Sequence, residues 1–252
     1  MHRLKYVVII MLMFPAGLAH SEEEELGFSF DVTYMSKLMD KGSEYYGQQS
    51  GIMETLSIDL WGTGFGLEAA NRRANSSGYE NRERFDYKVY YSDIIFEGER
   101  YVTKYKAYWK YKHFPDRPRD IGNSQEWKVD FSWPEILECG LVPSYAVYYG
   151  YPAGSNYGNR LSTYWYHLFE LGYDLRTGAL PKPLHLSANI AYRDGGSSSD
   201  HDWSHTTVGM STDFELAESL GFVPGLYYQI SMDDSVCERD VIYCVLSMKY
   251  KF

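Results

Sequence analysis

Apolar and polar residues alternate along most of the chain with a period of two. The alternation is clearest over 28–35, 101–112, 127–133 and 184–193. A period of two places successive side chains on opposite faces of an extended strand, whereas an amphipathic helix repeats every 3.6 residues. No segment of comparable length shows the helical period. The pattern therefore predicts an all-β protein.

The alternating segments predict twelve strands, with approximate bounds 28–38, 52–61, 65–73, 84–93, 100–112, 125–133, 141–150, 162–175, 184–193, 205–214, 220–230 and 241–252. Short connections with Gly or Pro alternate with longer connections rich in Gly, Asn, Ser and charge. Bacterial outer-membrane barrels have this arrangement, with tight periplasmic turns, longer outer loops and an even number of strands. We therefore expect an antiparallel transmembrane β-barrel of about twelve strands. A soluble barrel with an aromatic core has the same period, so alternation alone leaves it open.

The first nineteen residues have the pattern of a secretory signal peptide. Arg3 and Lys5 precede an apolar stretch over 7–14, and the small residues Gly17 and Ala19 fit a cleavage site. The apolar stretch is too short to cross about 30 Å of hydrocarbon as a helix. We therefore expect export, with cleavage near Ala19. The predicted division of the chain is signal peptide 1–19, disordered acidic tail 20–27 and outer-membrane barrel 28–252.

The last strand distinguishes the two kinds of barrel. Apolar or aromatic residues occupy every second position back from the end, at Met248, Tyr250 and Phe252. This ending resembles the signal by which outer-membrane proteins are delivered to the barrel-assembly machinery. Together with the signal peptide, it favours the bacterial outer membrane over a secreted soluble protein. The expected surroundings are outer-membrane lipid and lipopolysaccharide, and the expected partner during biogenesis is that machinery.

Several segments resemble the TorF-type porins, a group of bacterial outer-membrane proteins. The resemblance lies in residues 32–37, in Asp40-Lys41-Gly42, in the first hairpin at 57–60 and 62–67, and in the terminal strand. The family's usual Arg-Gly after the first strand is Lys41-Gly42 here, and no motif matches over roughly 95–200. The resemblance implies a passive pore of about this size. It brings no substrate and no catalytic residue.

Composition excludes several other functions. The 25 Tyr, 12 Phe and 6 Trp fit aromatic girdles at the two rims of a membrane barrel. A net charge of −10, with no cluster of Lys and Arg after residue 5, argues against nucleic-acid binding. Acidic residues at 200–202 offer oxygen ligands to a divalent cation, but a solvated loop explains them as well. The sequence predicts no cofactor and no metal site.

Charged side chains on the polar faces of the strands are predicted to point into the barrel. A lysine on the lipid face costs about 2–4 kcal/mol at the bilayer midplane, which fixes these faces inward. The predicted pore-lining residues are Asp59, Glu68, Asp86, Lys88, Lys104, Lys106, Lys110, Lys112, Lys128, Asp130, Glu170, Asp174 and His185. Opposite charges across so narrow a space either pair as a structural network or form a charged constriction that favours polar or ionic solutes. His167 is in phase with the lipid face, where it faces a neighbouring subunit or marks a bulge.

These features predict a narrow passive channel for small polar solutes. The alternative is a structural or surface-binding barrel with a plugged lumen. A lipid-modifying enzyme has the least support. His185 and Ser187 have the spacing of the His and Ser pair of outer-membrane phospholipase A on one strand face. Their phase points them into the lumen, away from phospholipid, so we expect no enzymatic activity.

Overall fold

The computed structural model describes residues 26–117, 122–154, 163–178, 180–195 and 202–252. These ranges contain one short 3-10 helix, Glu80–Arg82, and the strands β1 Gly27–Met35, β2 Met39–Asp40, β3 Ser43–Glu44, β4 Gly51–Asp59, β5 Phe65–Ala74, β6 Arg84–Ile95, β7 Thr103–His113, β8 Ser124–Ser132, β9 Leu141–Pro152, β10 Tyr164–Leu175, β11 Leu184–Gly195, β12 Asp202–Thr212, β13 Phe214–Ala217, β14 Leu220–Ser231 and β15 Val241–Lys251. Within these ranges, no helix is long and apolar enough to cross a membrane. The predicted signal peptide and most of the predicted acidic tail lie outside the described residues.

The long strands form a closed antiparallel barrel of twelve strands, which confirms the predicted fold. Each long strand pairs with its neighbour in sequence, and β1 pairs with β15 to close the sheet. β13 continues β12 after a break at Asp213, and both pair with β14, so they form one spanning strand. Closure leaves no unpaired edge, which is the condition for a sheet in lipid.

The two faces of the barrel have the polarity of a membrane protein. Large apolar side chains are exposed on the outside, among them Phe30, Leu56, Val89, Phe169, Val208 and Leu246. Buried polar and charged side chains face the interior, among them Asp86, Lys110, Lys112, Glu126 and Gln229. A soluble barrel would bury the first set and expose the second. The soluble alternative that the alternating pattern left open is therefore wrong.

The two ends of the barrel differ in their connections. The short-turn end carries the connections at 60–64, 96–102, 133–140 and 218–219 and the described residues of 176–183. We call the opposite end of the strands the long-loop end. Trp61 and Tyr101 lie at the short-turn end, and Tyr111 and Tyr151 lie near the long-loop end. Aromatic side chains therefore lie at both ends of the barrel, as expected for rim positions.

The first predicted strand is shorter than the sequence indicated. β1 ends at Met35 rather than at residue 38, and β2 pairs with β3 as a small hairpin within the connection. The turn of this hairpin is Lys41-Gly42, whose φ angles are 51° and 85°. Two successive positive φ angles define the tight turn that suits a hairpin, and glycine at the second position adopts it without steric cost. We call residues 36–50 the first loop.

His167 lies on the outer face of β10 and is accommodated by a hydrogen bond. Its Nδ1 lies 2.7 Å from the hydroxyl of Tyr145 on β9. The pairing of β10 runs in register past His167 on both sides, opposite Val147 and Tyr192. The pairings of β10 therefore contain no bulge at His167, because a bulge would shift that register. The nearest shift lies one strand away, between Ala191 and Tyr192 in the pairing of β11 with β12.

Phe252 is predicted to act in assembly more than in the stability of the finished barrel. Its backbone N–H donates to the carbonyl oxygen of Phe28 at 3.0 Å, but its side chain is exposed, at 74%. Deletion of Phe252 therefore removes little packing from the folded state. We expect it to lower the amount of folded, heat-modifiable protein in the outer membrane severely, while export is unchanged.

The control is Leu216→Ser, which removes another exposed apolar side chain at the same end of the barrel. This variant should reach wild-type levels. The measurement is gel migration of membrane fractions with and without heating. Wild-type amounts of the folded Phe252 deletion would contradict the prediction.

Candidate lumenal site

One wall of the lumen is formed by lysines and tyrosines on β6, β7 and β8. The Nζ of Lys106 lies 3.9 Å from the centroid of the Tyr90 ring, and the Nζ of Lys88 lies 5.0 Å from that of Tyr108. A cation over an aromatic face is attracted by the ring, by about 0.5–1 kcal/mol where both are exposed and more where they are desolvated. The tyrosine rings therefore hold the lysines along the wall.

Two pairs of predicted pore-lining residues form ion pairs on this wall. Lys88 lies 2.5 Å from Glu68, and Lys128 lies 2.8 Å from Asp130. Neither pair crosses the lumen, because each joins neighbouring strands or neighbouring residues of one face. These charges therefore neutralise one another within the wall.

A cavity of about 540 Å³ lies at the short-turn end. Four of the predicted residues line it: Asp59, Lys104, Lys106 and Asp130. Ser92, Asp93 and Ser132 contribute further polar groups. This part of the interior is a polar vestibule with charges of both signs.

A buried carboxylate lies further towards the long-loop end. Glu126 of β8 is fully buried, and its oxygens lie 2.7 Å from the Nζ of Lys110 and 2.9 Å from the Nζ of Lys112. The hydroxyls of Tyr108 and Tyr164 donate to it at 3.0 Å and 2.8 Å. The third ammonium group in contact with Glu126 comes from Lys41 of the first loop. We call these six residues the Glu126 cluster.

The position of Tyr164 depends on a glycine in the neighbouring strand. Gly150 of β9 lies opposite Tyr164 in the β9–β10 pairing. A Cβ atom at Gly150 would lie 2.2 Å from the Tyr164 ring, so only glycine allows the ring to lie flat over that strand. This arrangement directs the Tyr164 hydroxyl towards Glu126.

A second group of buried charges lies on β5 and β6. Arg72 and Arg84 both contact the carboxylate of Asp86, at 3.2 Å and 3.0 Å. Arg84 also donates to Asp40 of the first loop at 2.9 Å, and Arg72 lies 4.0 Å from the same carboxylate. We call these four residues the arginine cluster.

The two loop residues in these clusters have shifted pKa values. Burial lowers the pKa of the Lys41 ammonium to about 8, although Glu126 acts in the opposite direction. Burial alone would raise the pKa of the Asp40 carboxyl, but Arg84, Lys112 and Arg72 outweigh it and hold that pKa well below its usual range. Asp40 therefore remains ionised at neutral pH, and Lys41 is mostly protonated.

The first loop crosses the lumen from wall to wall. Beyond Asp40 and Lys41, the carbonyl oxygen of Gly42 accepts a hydrogen bond of 2.7 Å from Gln229 of β14. A Cβ atom at Gly42 would lie 2.2 Å from Nδ1 of His205 on β12, so the backbone approaches that wall closely. Leu38 and Tyr46 of the same loop are fully buried. The loop therefore narrows the lumen at the long-loop end.

His185 lies at the short-turn end, between two carboxylates. Its Nδ1 is 2.6 Å from Asp174, and its Nε2 is 2.8 Å from Asp213. Both ring nitrogens are occupied, so the imidazole is not placed to take a proton from Ser187. Glu170 lies on the same face of β10 and is half-buried.

The sequence predicted many of the charged residues in the lumen, but not Glu126 and Arg84, which lie at the centres of the two clusters. Glu126 and Arg84 are in phase with predicted pore-lining residues on their strands, so the alternating pattern contained the signal that locates them. Asp40 and Lys41 lie in a connection, where no periodicity predicts which way a side chain points. Among the described residues, no group of three or more His, Cys, Asp or Glu could hold a metal ion. Of the acidic stretch at 200–202, residues 200 and 201 lie outside those ranges.

A closed antiparallel barrel of twelve strands with an apolar exterior and a charged interior has the architecture of a transmembrane β-barrel. The chain is similar in fold to the KdgM porin, with 11% identity, a TM-score of 0.54 and coverage of 89% of this chain and 99% of that one. It is similar to the NanC porin, with 8% identity, a TM-score of 0.54 and coverage of 89% and 100%. It is also similar to an outer-membrane channel from Pseudomonas putida F1, with 9% identity, a TM-score of 0.55 and coverage of 93% and 100%. No protein-family model and no curated protein sequence matches the chain.

The Glu126 cluster is expected to be required for stability. Glu126→Gln removes the carboxylate that holds three ammonium groups together, and loss of one partner from a buried ion pair costs about 3–5 kcal/mol. We expect a lower urea midpoint for the variant in detergent micelles, followed by tryptophan fluorescence.

The control is Glu138→Gln, at an exposed pair whose partner, Arg100, lies 3.2 Å away. Exposed pairs contribute little, so its midpoint should equal that of the wild type. Equal midpoints for Glu126→Gln and the wild type would show that the cluster does not stabilise the barrel.

Proposed function

We propose that the protein is a narrow passive channel for small polar solutes in the bacterial outer membrane. The observation that carries the proposal is the lumen itself, because it is lined by charged and hydroxyl groups along its length and contains a polar vestibule at one end. A barrel that served only as an anchor could fill this space with apolar side chains. The solved channels of similar fold support the same proposal.

The proposed surroundings follow from the outer face and from the sequence. The exposed apolar belt fits outer-membrane lipid, with lipopolysaccharide at the long-loop end. The terminal strand fits recognition by the barrel-assembly machinery, and the resemblance over 32–67 supports a place among the TorF-type porins. The signal peptide would direct export, and we propose that it is cleaved near Ala19.

A plugged barrel is the second candidate, and a specific observation favours it. The first loop contacts side chains of β5, β6, β8, β10, β12 and β14, which lie around the circumference of the lumen. A loop held at so many points blocks much of the cross-section. In that case the long loops would bind surface components, and the lumen would carry no solute.

A lipid-modifying enzyme has no support from the described side chains. His185 is held by two aspartates at the short-turn end, and Ser187 forms no hydrogen bond with it among the contacts of the described residues. We therefore propose a transport function without catalysis.

Conductance in planar bilayers tests the proposal. Wild-type protein should produce discrete current steps, and a potassium chloride gradient then gives a reversal potential that reports ion preference. Replacement of Lys104, Lys106 and Lys110 by Gln removes three positive charges from the lumen and should shift that potential towards cation preference. An absence of current steps from folded wild-type protein would favour the plugged barrel.

The matched control removes the same number of positive charges from the short turns, at Arg100, Arg176 and Lys182. These side chains are exposed and lie in the short turns, away from the lysine wall, so the reversal potential should not change. If the wild type, the lysine variant and the control have the same ion preference, the lysines stabilise the wall and do not determine selectivity.

A further inference from the structure

The arginine cluster contains one carboxylate from the barrel wall and one from the first loop. Asp86 belongs to β6 and contacts both arginines, whereas Asp40 is brought in by the hairpin of the first loop. Arg84 is almost completely buried, and the ring of Tyr45 lies 4.9 Å from its guanidinium carbon. Two guanidinium groups are thus neutralised by two carboxylates, of which only one is fixed to the wall.

The two clusters differ in what remains if the first loop withdraws. Glu126 would lose Lys41 but keep Lys110, Lys112, Tyr108 and Tyr164, so its oxygens remain fully hydrogen-bonded. The wall at this position therefore needs no replacement cation.

The two arginines, by contrast, would be left with too little negative charge. Without Asp40, Arg72 and Arg84 share the single carboxylate of Asp86, and Lys110 and Lys112 add positive charge from the adjoining strand. A buried guanidinium without a counter-charge is costly, and the planar fork of arginine matches a carboxylate. The vacated position is therefore complementary to an anion with carboxylate geometry.

We propose that Arg72 and Arg84 form a binding site for carboxylate-bearing solutes, which Asp40 of the first loop occupies as a built-in competitor. Binding of a solute and insertion of the loop then exclude each other. A free carboxylate at this site displaces the loop and widens the lumen. The inference rests on the proposed channel for the route by which solutes arrive, but displacement of the loop can be measured without any current.

Trypsin provides the measurement, because Lys41 is a cleavage site that is inaccessible while it contacts Glu126. Folded protein in detergent micelles is treated with trypsin, and the peptide that ends at Lys41 is quantified by mass spectrometry. A ligand that binds the protein only after the first loop has left the lumen increases the fraction of protein molecules in that state, by the fraction of protein that has bound ligand. Succinate should therefore accelerate cleavage at Lys41 several-fold.

Three additions separate binding from other effects. Butane-1,4-diol and putrescine have the same four-carbon chain without the carboxylates, and potassium chloride at matched ionic strength screens ion pairs in general. None of them should accelerate cleavage as succinate does. An equal effect of succinate and potassium chloride would overturn the proposal, because it would show screening rather than a site.

Two variants test the assigned residues. Asp40→Asn removes the built-in competitor, so cleavage at Lys41 should be faster without succinate. Asp234→Asn, at an exposed position of the last long loop, removes the same charge and should behave as wild type. Arg72→Gln, checked for folding by heat-modifiable migration, should lose most of the response to succinate. A full succinate response in Arg72→Gln would contradict the assignment.

The result is separable from the test of channel function. Current steps without a succinate effect on cleavage would retain the channel and refute the site. A succinate effect without current steps would retain the site in a barrel that does not conduct.

Discussion

Closure of the sheet is the constraint on which the rest of the structure depends. In lipid, every backbone N–H and C=O group must be paired within the protein, so β1 and β15 must meet. Once the sheet is closed, the period of two assigns every side chain to lipid or to the lumen. The lumen of a twelve-stranded barrel then contains many charged groups in a small volume. The pairing of opposite charges among them decides the shape of the lumen.

This dependence explains which features could be predicted from the sequence. The strands, their number and the face of each charged residue follow from alternation, because period and phase are local properties of the chain. Glu126 and Arg84 follow the same alternation, so their position in the lumen could be predicted in the same way. The role of Asp40 and Lys41 could not be predicted from the sequence. The hairpin at Lys41-Gly42 sets the direction of the loop, and only three-dimensional contacts show which wall residues it reaches.

Buried charges of this kind are weak evidence for stability, since desolvation offsets much of their attraction. They are better suited to specifying one arrangement among several. In the Glu126 cluster, residues from β7, β8 and β10 and from the first loop meet at a single carboxylate. A shift in the register of any of these strands would separate them, so the cluster fixes the pairing of this wall as well as the position of the loop.

The first loop is tied to the barrel at both of its ends, by β1 and β4. A group on a short tether has an effective concentration near its own site that lies on the order of millimolar. A free solute that competes with it must reach a comparable concentration before it has an effect. At the proposed site, attachment of the loop thus sets a threshold: dilute carboxylate-bearing solutes leave the barrel narrow, and abundant ones widen it.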